Sequence, residues 1–287
     1  MGATGTAAGP TVTSAELVDG LRMVGLGRGS EVLVHSSLSS FGYVDGGAEA
    51  VCAALTEVCG TVVMPAGTWD LTGLPAPPGM VRPHNAFWNA ETWPDFDERL
   101  SKATSFRIDL PVDRWLGKIP ETFRQISSPF RTEHPLFSYQ AAGPAAERIL
   151  AAQRLDWPLG PIEALEGDVL LLGVTHTSNT TIHLAEQYLG RSRFYRYAKT
   201  ADGRWLELPN IPGESHEFDA IEPVLRSATK EVRIGKARVR RIPKQAVLSA
   251  TRKLVEADPA ALLCTDDPTC RCAAALEQRL VSLGQRR

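Results

Sequence analysis

Apolar positions along the chain follow two periods. TSAELVDGLRMVGL, Thr13 to Leu26, repeats them near every 3.6 residues behind a threonine–serine start, which predicts a first helix. EVLVHSS is a strand ending in polar residues, GGAEAVCAALTEVCG a helix closed by glycine, and TVVMPAGTW a second strand. IPETFRQI reads as a short helix, RTEHPLFSYQAAG as extended, PAAERILAAQ as a helix and LDWPLGP as a turn. DVLLLGV is the most apolar strand, and the helix of NTTIHLAEQ follows it. Ser192 to Pro243 is β-rich, and KQAVLSATRKLVEADPAALLC is helical. The glycines of GLGRGS precede a strand and so make no dinucleotide fingerprint. Strand, helix, strand at these lengths predicts an α/β fold. The sheet is expected to be central, mostly parallel or mixed, flanked by helices, with a β-rich C-terminal portion.

Between Asp70 and Pro120 both periods fail. Prolines, Trp88, Trp93 and Trp115, and the acids Asp70, Glu91, Asp95, Asp97, Glu98, Asp109 and Asp113 replace them. Long irregular stretches in compact domains are functional or disordered, and the aromatic content argues against disorder. The expected organisation is a flexible tail over residues 1–10 and one domain over 11–287, with 70–120 inserted on the substrate side.

The chain has 287 residues, 43% hydrophobic and 22% charged, and a net charge of −2. That is ordinary globular composition, with no general case for nucleic-acid or membrane binding. KEVRIGKARVRRIPK is locally basic, either a solvated face or a clamp for a phosphate. MGATGTAAGP lacks the basic start and apolar core of a secretory signal, so a cytoplasmic protein, monomer or homodimer, is expected. The odd count of five cysteines argues against a disulfide framework. Cys264, Cys270 and Cys272 in CTDDPTCRC match no zinc-ribbon spacing. His216 would complete four ligands, while the plainer reading is reduced, partly buried thiols.

The chemistry concentrates in GVTHTSNTTIHLAEQ, Gly173 to Gln187. Open α/β sheets bind ligands where a strand ends and turns into a helix. Asn179 or Thr180 can cap that helix, and His183 falls in its first turn with Glu186 on the same face. The helix end disfavours an imidazolium and Glu186 favours one. The pair therefore suits a general base, with Thr180 and Thr181 as donors to an oxyanion; it equally suits a histidine merely satisfied by an acid. VHSSLSSFG, Val34 to Gly42, is a second polar strand end, suited to an extended polar ligand or a phosphate. His134 and His176 read as structural. A metal hydrolase built on His176, His183 and Glu186 would lack the H-E-x-x-H pattern, and no active-site metal is expected.

VHSSLSSFGYVDGGAEAV, GTVVMPAGTW, IPETFR, EHPLFSYQAAG and VLLLGVTHTSNTTIHLAE occur in an order and spacing that resemble the aminoglycoside 3-N-acetyltransferases, of antibiotic N-acetyltransferase fold. The resemblance is dense from about Leu17 to Gln187. It implies acetyl transfer from acetyl-coenzyme A to an amine of the deoxystreptamine ring. It implies His183 as catalytic histidine with Glu186 and Thr180 beside it. It also implies Ser36, Ser37, Leu38, Ser39, Phe41 and Gly42 as the coenzyme A loop, and Asp70 near an acidic substrate contact. AGTWD departs from the commoner PTFS or PSWS, and Leu71 to Arg114 is long, so the resemblance implies a remodelled substrate side. An acyl-coenzyme A transferase for another amine and a non-catalytic antibiotic-binding protein are the alternatives.

Overall fold

The computed structural model describes residues 11–80, 88–127, 129–190, 194–209, 214–267 and 269–284. The expected tail, 1–10, and part of the tryptophan-rich stretch, 81–87, lie outside them. Ten strands form in chain order: β1 Glu31–Ser36, β2 Thr61–Pro65, β3 Gly73–Leu74, β4 Phe130–Arg131, β5 Tyr139–Ala142, β6 Asp168–Leu172, β7 Tyr195–Lys199, β8 Trp205–Pro209, β9 Lys230–Ile234 and β10 Ala237–Pro243.

Seven strands make a mixed sheet ordered β4-β5-β2-β1-β6-β10-β9. Its centre is parallel: β1 pairs with β2 and with β6. The flanks are antiparallel, β5 on β2 and β10 on β6. Because side chains alternate across a strand, β1 serves two cores. Val32 and Val34 meet Leu17, Leu21, Val51, Leu55 and Phe123 from helices Ser14–Met23, Gly47–Val58 and Lys118–Ile126. Leu33 faces the other way, toward Leu184 of helix Thr180–Tyr188. Helix Lys244–Ala257 covers that same face, Val247 packing with Val169, Leu171 and Ile242. Among the described residues no helix is long and apolar enough to cross a membrane.

The β-rich portion divides between two sheets. β9 and β10 extend the main sheet, whereas β7 and β8 join β3 in a three-stranded sheet. The tryptophan-rich stretch is thereby tied to the C-terminal half through Leu74 opposite Tyr197. It also contains an unforeseen helix, Trp93–Lys102, capped by Thr92, which accepts from Asp95 N–H, with Pro94 in its first turn. The helix expected to reach Cys264 stops at Ala257, because Pro259 forces Asp258 into extended geometry, φ −143° and ψ 109°. A separate helix, Cys272–Gly284, follows.

In the basic stretch Lys230, Arg233, Lys236 and Arg238 lie on an exposed face, while Arg240 is buried and Arg241 half-buried. Arg238 pairs with Glu231 and Glu222, Arg241 with Asp168 at 2.8 Å, and buried Arg240 donates to the Val174 carbonyl at 2.6 Å. These cations fasten β10 to its neighbours.

The parallel strands bring their ends together at one rim. Ser36 stands opposite Leu172, and Ser37 N–H donates to the Leu172 carbonyl at 2.9 Å. Gly173 sits there at φ +68°, and a Cβ on it would lie 1.6 Å from Ser40 Oγ. Gly173→Ala is expected to cost about 2–3 kcal/mol, from left-handed strain and a displaced Ser40 hydrogen bond. Removing the side chain at Ser40 should recover only the steric share. Urea unfolding measures both, and an unchanged midpoint for Gly173→Ala would show that the close approach imposes nothing.

Candidate active site

At this rim lies a cavity of about 960 Å³. The end of β1 gives it Ser36, Ser37, Leu38, Ser39 and Gly42; the end of β6 gives Thr177, Ser178, Thr180 and His183; the segment after β2 gives Trp69 and Asp70. Leu38–Phe41 is a 3-10 turn, with Ser40 Oγ donating to the Ser37 carbonyl at 2.6 Å. Phe41, expected in the coenzyme A loop, does not reach the cavity. Its ring is buried in the core with Val34 and Leu55 and supports the loop from beneath.

Asn179 is the helix cap, its side chain accepting from Thr181 N–H at 3.2 Å. Thr180 is thereby left on the wall, while Thr181 is fully buried and does not line the cavity. His183 is 6% exposed and turns Nδ1 to Glu186 Oε2 at 3.2 Å. A carboxylate accepting Nδ1–H leaves the lone pair on Nε2. The ring also packs on Phe218, centroids 4.7 Å apart. Glu186, at 0% exposure, touches the cavity only through His183. Its second oxygen accepts from Arg279 Nη2 at 2.9 Å. Arg279 is also fully buried and donates to the carbonyls of Pro259 and Ala261. Arginine, glutamate and histidine thus form a buried chain that ends at the cavity.

On the substrate side the seven acids do not act together. Asp95 pairs with Arg99, Glu98 with Lys102 and Asp109 with Arg107, away from the cavity. Asp70 and Asp113 are the acids on the wall, with Lys118 and Arg196 as the cations. Asp70 Oδ2 accepts from Arg114 N–H at 3.2 Å, so this carboxylate caps a turn as well as facing the cavity. Asp113 accepts from Asp70 N–H at 2.7 Å. Burial pushes its carboxyl up to about 6, against the lowering by backbone donors. Arg196 is buried, its guanidinium 4.0 Å from the Trp69 ring centroid, and desolvation lowers its pKa to about 10. Exposed Trp115 completes that side.

The sequence model of the aminoglycoside 3-N-acetyltransferases matches residues 33–256. The chain belongs to the aminoglycoside 3-N-acetyltransferase family. It is 36% identical over 185 residues to the SPbeta prophage-derived aminoglycoside N(3')-acetyltransferase-like protein YokD of Bacillus subtilis, covering 61% of this chain and 64% of the relative. That aligned stretch is a little under two thirds of the relative's length. In fold the crystal structure of YokD matches at TM-score 0.75 and 28% identity, across 88% of this chain and 97% of that one. Aminoglycoside N(3)-acetyltransferase VII of Streptomyces paromomycinus is 33% identical over 227 residues, 72% of this chain and 74% of the relative. A mutant of aminoglycoside acetyltransferase AAC(3)-IVa in complex with a gentamicin matches at TM-score 0.73 and 26% identity, over 95% of this chain and 100% of that one.

Within this chain three wall or support residues escaped the sequence reading. His35 follows Leu33 by two positions on β1 and therefore faces helix Thr180–Tyr188, a placement the strand's period of two already contained. Its Nε2 is buried with no hydrogen-bond partner among the described residues. Arg279 shares a buried face with Cys272 and Ala275, so an arginine in an apolar helix stripe was its available signal. Arg196 had none, since its place depends on how β7 meets Trp69. His134 and His176 make local contacts: His134 Nδ1 accepts from Leu136 and Phe137 N–H, and His176 Nδ1 meets Asn179.

Burial lowers His35, His134 and His176 from 6.5 to about 4, aided at His35 by the charge of His183 and at His176 by Arg240. The unfolded chain takes up these protons near 6.5 and the folded one only near 4. Stability is therefore complete above about pH 6.5 and falls as pH drops toward 4. Melting temperature followed across that window should decline, less steeply in His134→Asn; a flat profile would contradict the buried neutral imidazoles.

Arg279→Leu leaves the Glu186 carboxylate buried without its cation and should cost about 3–5 kcal/mol. Adding Glu186→Gln should return part of that loss, since no buried charge then remains. Strict additivity in a denaturant-unfolding cycle would show that the pair is not coupled.

Proposed function

We propose that this chain transfers the acetyl group of acetyl-coenzyme A to the 3-amino group of the deoxystreptamine ring of aminoglycosides, a resistance activity by inactivation, with His183 as general base. Family membership supports the reaction class. The observation that carries the mechanism is the Arg279–Glu186–His183 chain ending at a cavity that the Ser36–Gly42 loop also lines.

The chemistry follows from those positions. The serine loop, supported by Phe41, receives the donor, and Asp70 and Asp113 receive ammonium groups. Residues 70–120 thus act as the substrate-side segment. An amine attacks only when neutral, so a bound ammonium first releases one proton to solvent. Nε2 of His183 accepts a second proton from the nitrogen as the N–C bond forms at the thioester carbonyl. Glu186 stabilises the resulting imidazolium, and Arg279 holds Glu186 in place as a positioning residue. Thr180 donates to the tetrahedral oxyanion. When the C–S bond breaks, the sulfur leaves with the proton returned from His183. The route needs no cysteine nucleophile and no metal step. All five cysteines lie outside disulfides, in keeping with a reducing cytoplasm.

One observation favours a second reading, an acyl-coenzyme A transferase for a less cationic amine. The wall sets Lys118 and Arg196 against Asp70 and Asp113, a balance poorly suited to a polycation. An acceptor panel separates the two: gentamicin, apramycin and kanamycin beside monoamines, followed by thiol release and mass spectrometry. Turnover of the aminoglycosides, with Asp70→Asn raising their KM roughly ten- to a hundredfold and sparing that of acetyl-coenzyme A, supports the first. Turnover of monoamines alone supports the second. In either reading His183→Ala should lower kcat by about a hundredfold to ten-thousandfold, and retained turnover would remove it as the base.

A further inference from the structure

A second group of reactive side chains lies off the cavity. His216, Cys264, Cys270 and Cys272 place one ligand atom each within 4.8 Å of all the others, the group of that kind found among the described residues. The chain brings them from three places. His216 lies just before the 3-10 turn Phe218–Ile221. Cys264 lies two residues past Leu262, which is at φ 65°. Cys270 and Cys272 stand at the head of helix Cys272–Gly284. Between the cysteines, Asp267 accepts from Thr269 N–H at 2.8 Å, and its carbonyl accepts from Cys270 N–H at 3.1 Å, which folds the intervening turn back. Phe194, Leu263 and Ala275 pack against the thiols from one side, and the exposed His216 reaches them from the solvent side.

Three thiols and an imidazole this close are not in a disulfide, and their donor set has a definite chemical preference. Thiolates with one imidazole select zinc among the common divalent ions, and tetrahedral geometry suits four such ligands. Zn–S bonds near 2.3 Å place tetrahedral sulfurs about 3.8 Å apart, so a cluster spanning 4.8 Å needs to contract by only about an ångström. A site with four protein ligands has no open position for substrate, which makes it structural.

We propose that His216, Cys264, Cys270 and Cys272 bind one zinc ion, which staples the segment under the candidate active site to the helix that carries Arg279. His216 follows Ser215 of the cavity wall and precedes by two residues Phe218, the ring against His183. Cys272 precedes Arg279 by two helical turns on the same buried face. The ion thereby fixes both contacts that orient His183 from behind, the Phe218 ring and the Glu186–Arg279 pair. Arg271 reinforces the joint by pairing with Glu214 at 3.2 Å.

The test is metal content, which is independent of any acceptor. Full-length protein purified under reducing conditions from zinc-replete medium should carry about one zinc per chain after gel filtration. Cys270→Ser and His216→Ala should fall well below that. Cobalt exchanged into the wild-type protein should give thiolate charge-transfer and tetrahedral ligand-field bands, a readout that does not depend on either variant folding. Stripping the zinc with a strong chelator should lower the melting temperature, and added zinc should restore it. Less than about one tenth of a zinc per chain in the reduced, zinc-supplied wild type would overturn the proposal. So would undiminished zinc in both variants, or cobalt binding without thiolate bands.

Discussion

A carboxylate sealed from water at Glu186 is the constraint around which this molecule is arranged. An ionised group with no solvent exposure needs charged or hydrogen-bonding partners on each oxygen. One oxygen is met by His183, one helical turn away, and the other by Arg279 from a distant helix. The first contact sets the tautomer and orientation of an imidazole on the cavity wall. The second obliges the C-terminal helix to pack against helix Thr180–Tyr188, so that the rear of the site is closed by sequence far from the sheet. Packing and prospective chemistry are served by the same pair of bonds.

The sheet supplies the front. Parallel pairing of β2, β1 and β6 makes their carboxyl ends coincide, and the serine loop and the histidine helix follow directly from two neighbouring strands. Gly173 lets those two segments approach within what would be a clash for any side chain. Of the outer antiparallel strands, β5 brings Tyr139 and the residues just before it to the cavity wall, while β10 widens the sheet and is secured by Arg240 and Arg241 of the basic run.

Legibility in the sequence tracked the range of the interactions. The central strands, the first helices and the His183–Glu186 pair rest on periodicity and on i, i+3 spacing, both local, and they stand where the pattern put them. Helix Trp93–Lys102 was hidden because only Phe96 is buried on it, leaving almost no apolar period, although Thr92 and Pro94 signalled its start. Phe41 was placed in the ligand loop by motif, yet its ring is buried in the core beneath that loop. The acids of the tryptophan-rich stretch looked like one receptor because composition does not reveal that neighbouring arginines and a lysine pair with Asp95, Glu98 and Asp109. Arg196 and Arg279 act across long separations, and no local pattern encodes such partners.

The separation of 93 residues between Glu186 and Arg279 has a consequence during synthesis. Ribosomes add about 5–20 residues per second. The helix bearing His183 therefore exists for roughly 5 to 20 s before its arginine has been made. Through that interval the carboxylate must stay hydrated or protonated, and the sheet's second face cannot close over it. The nascent chain can assemble β1, β2 and β6 early, but the rear of its site is completed only by a late, long-range docking event.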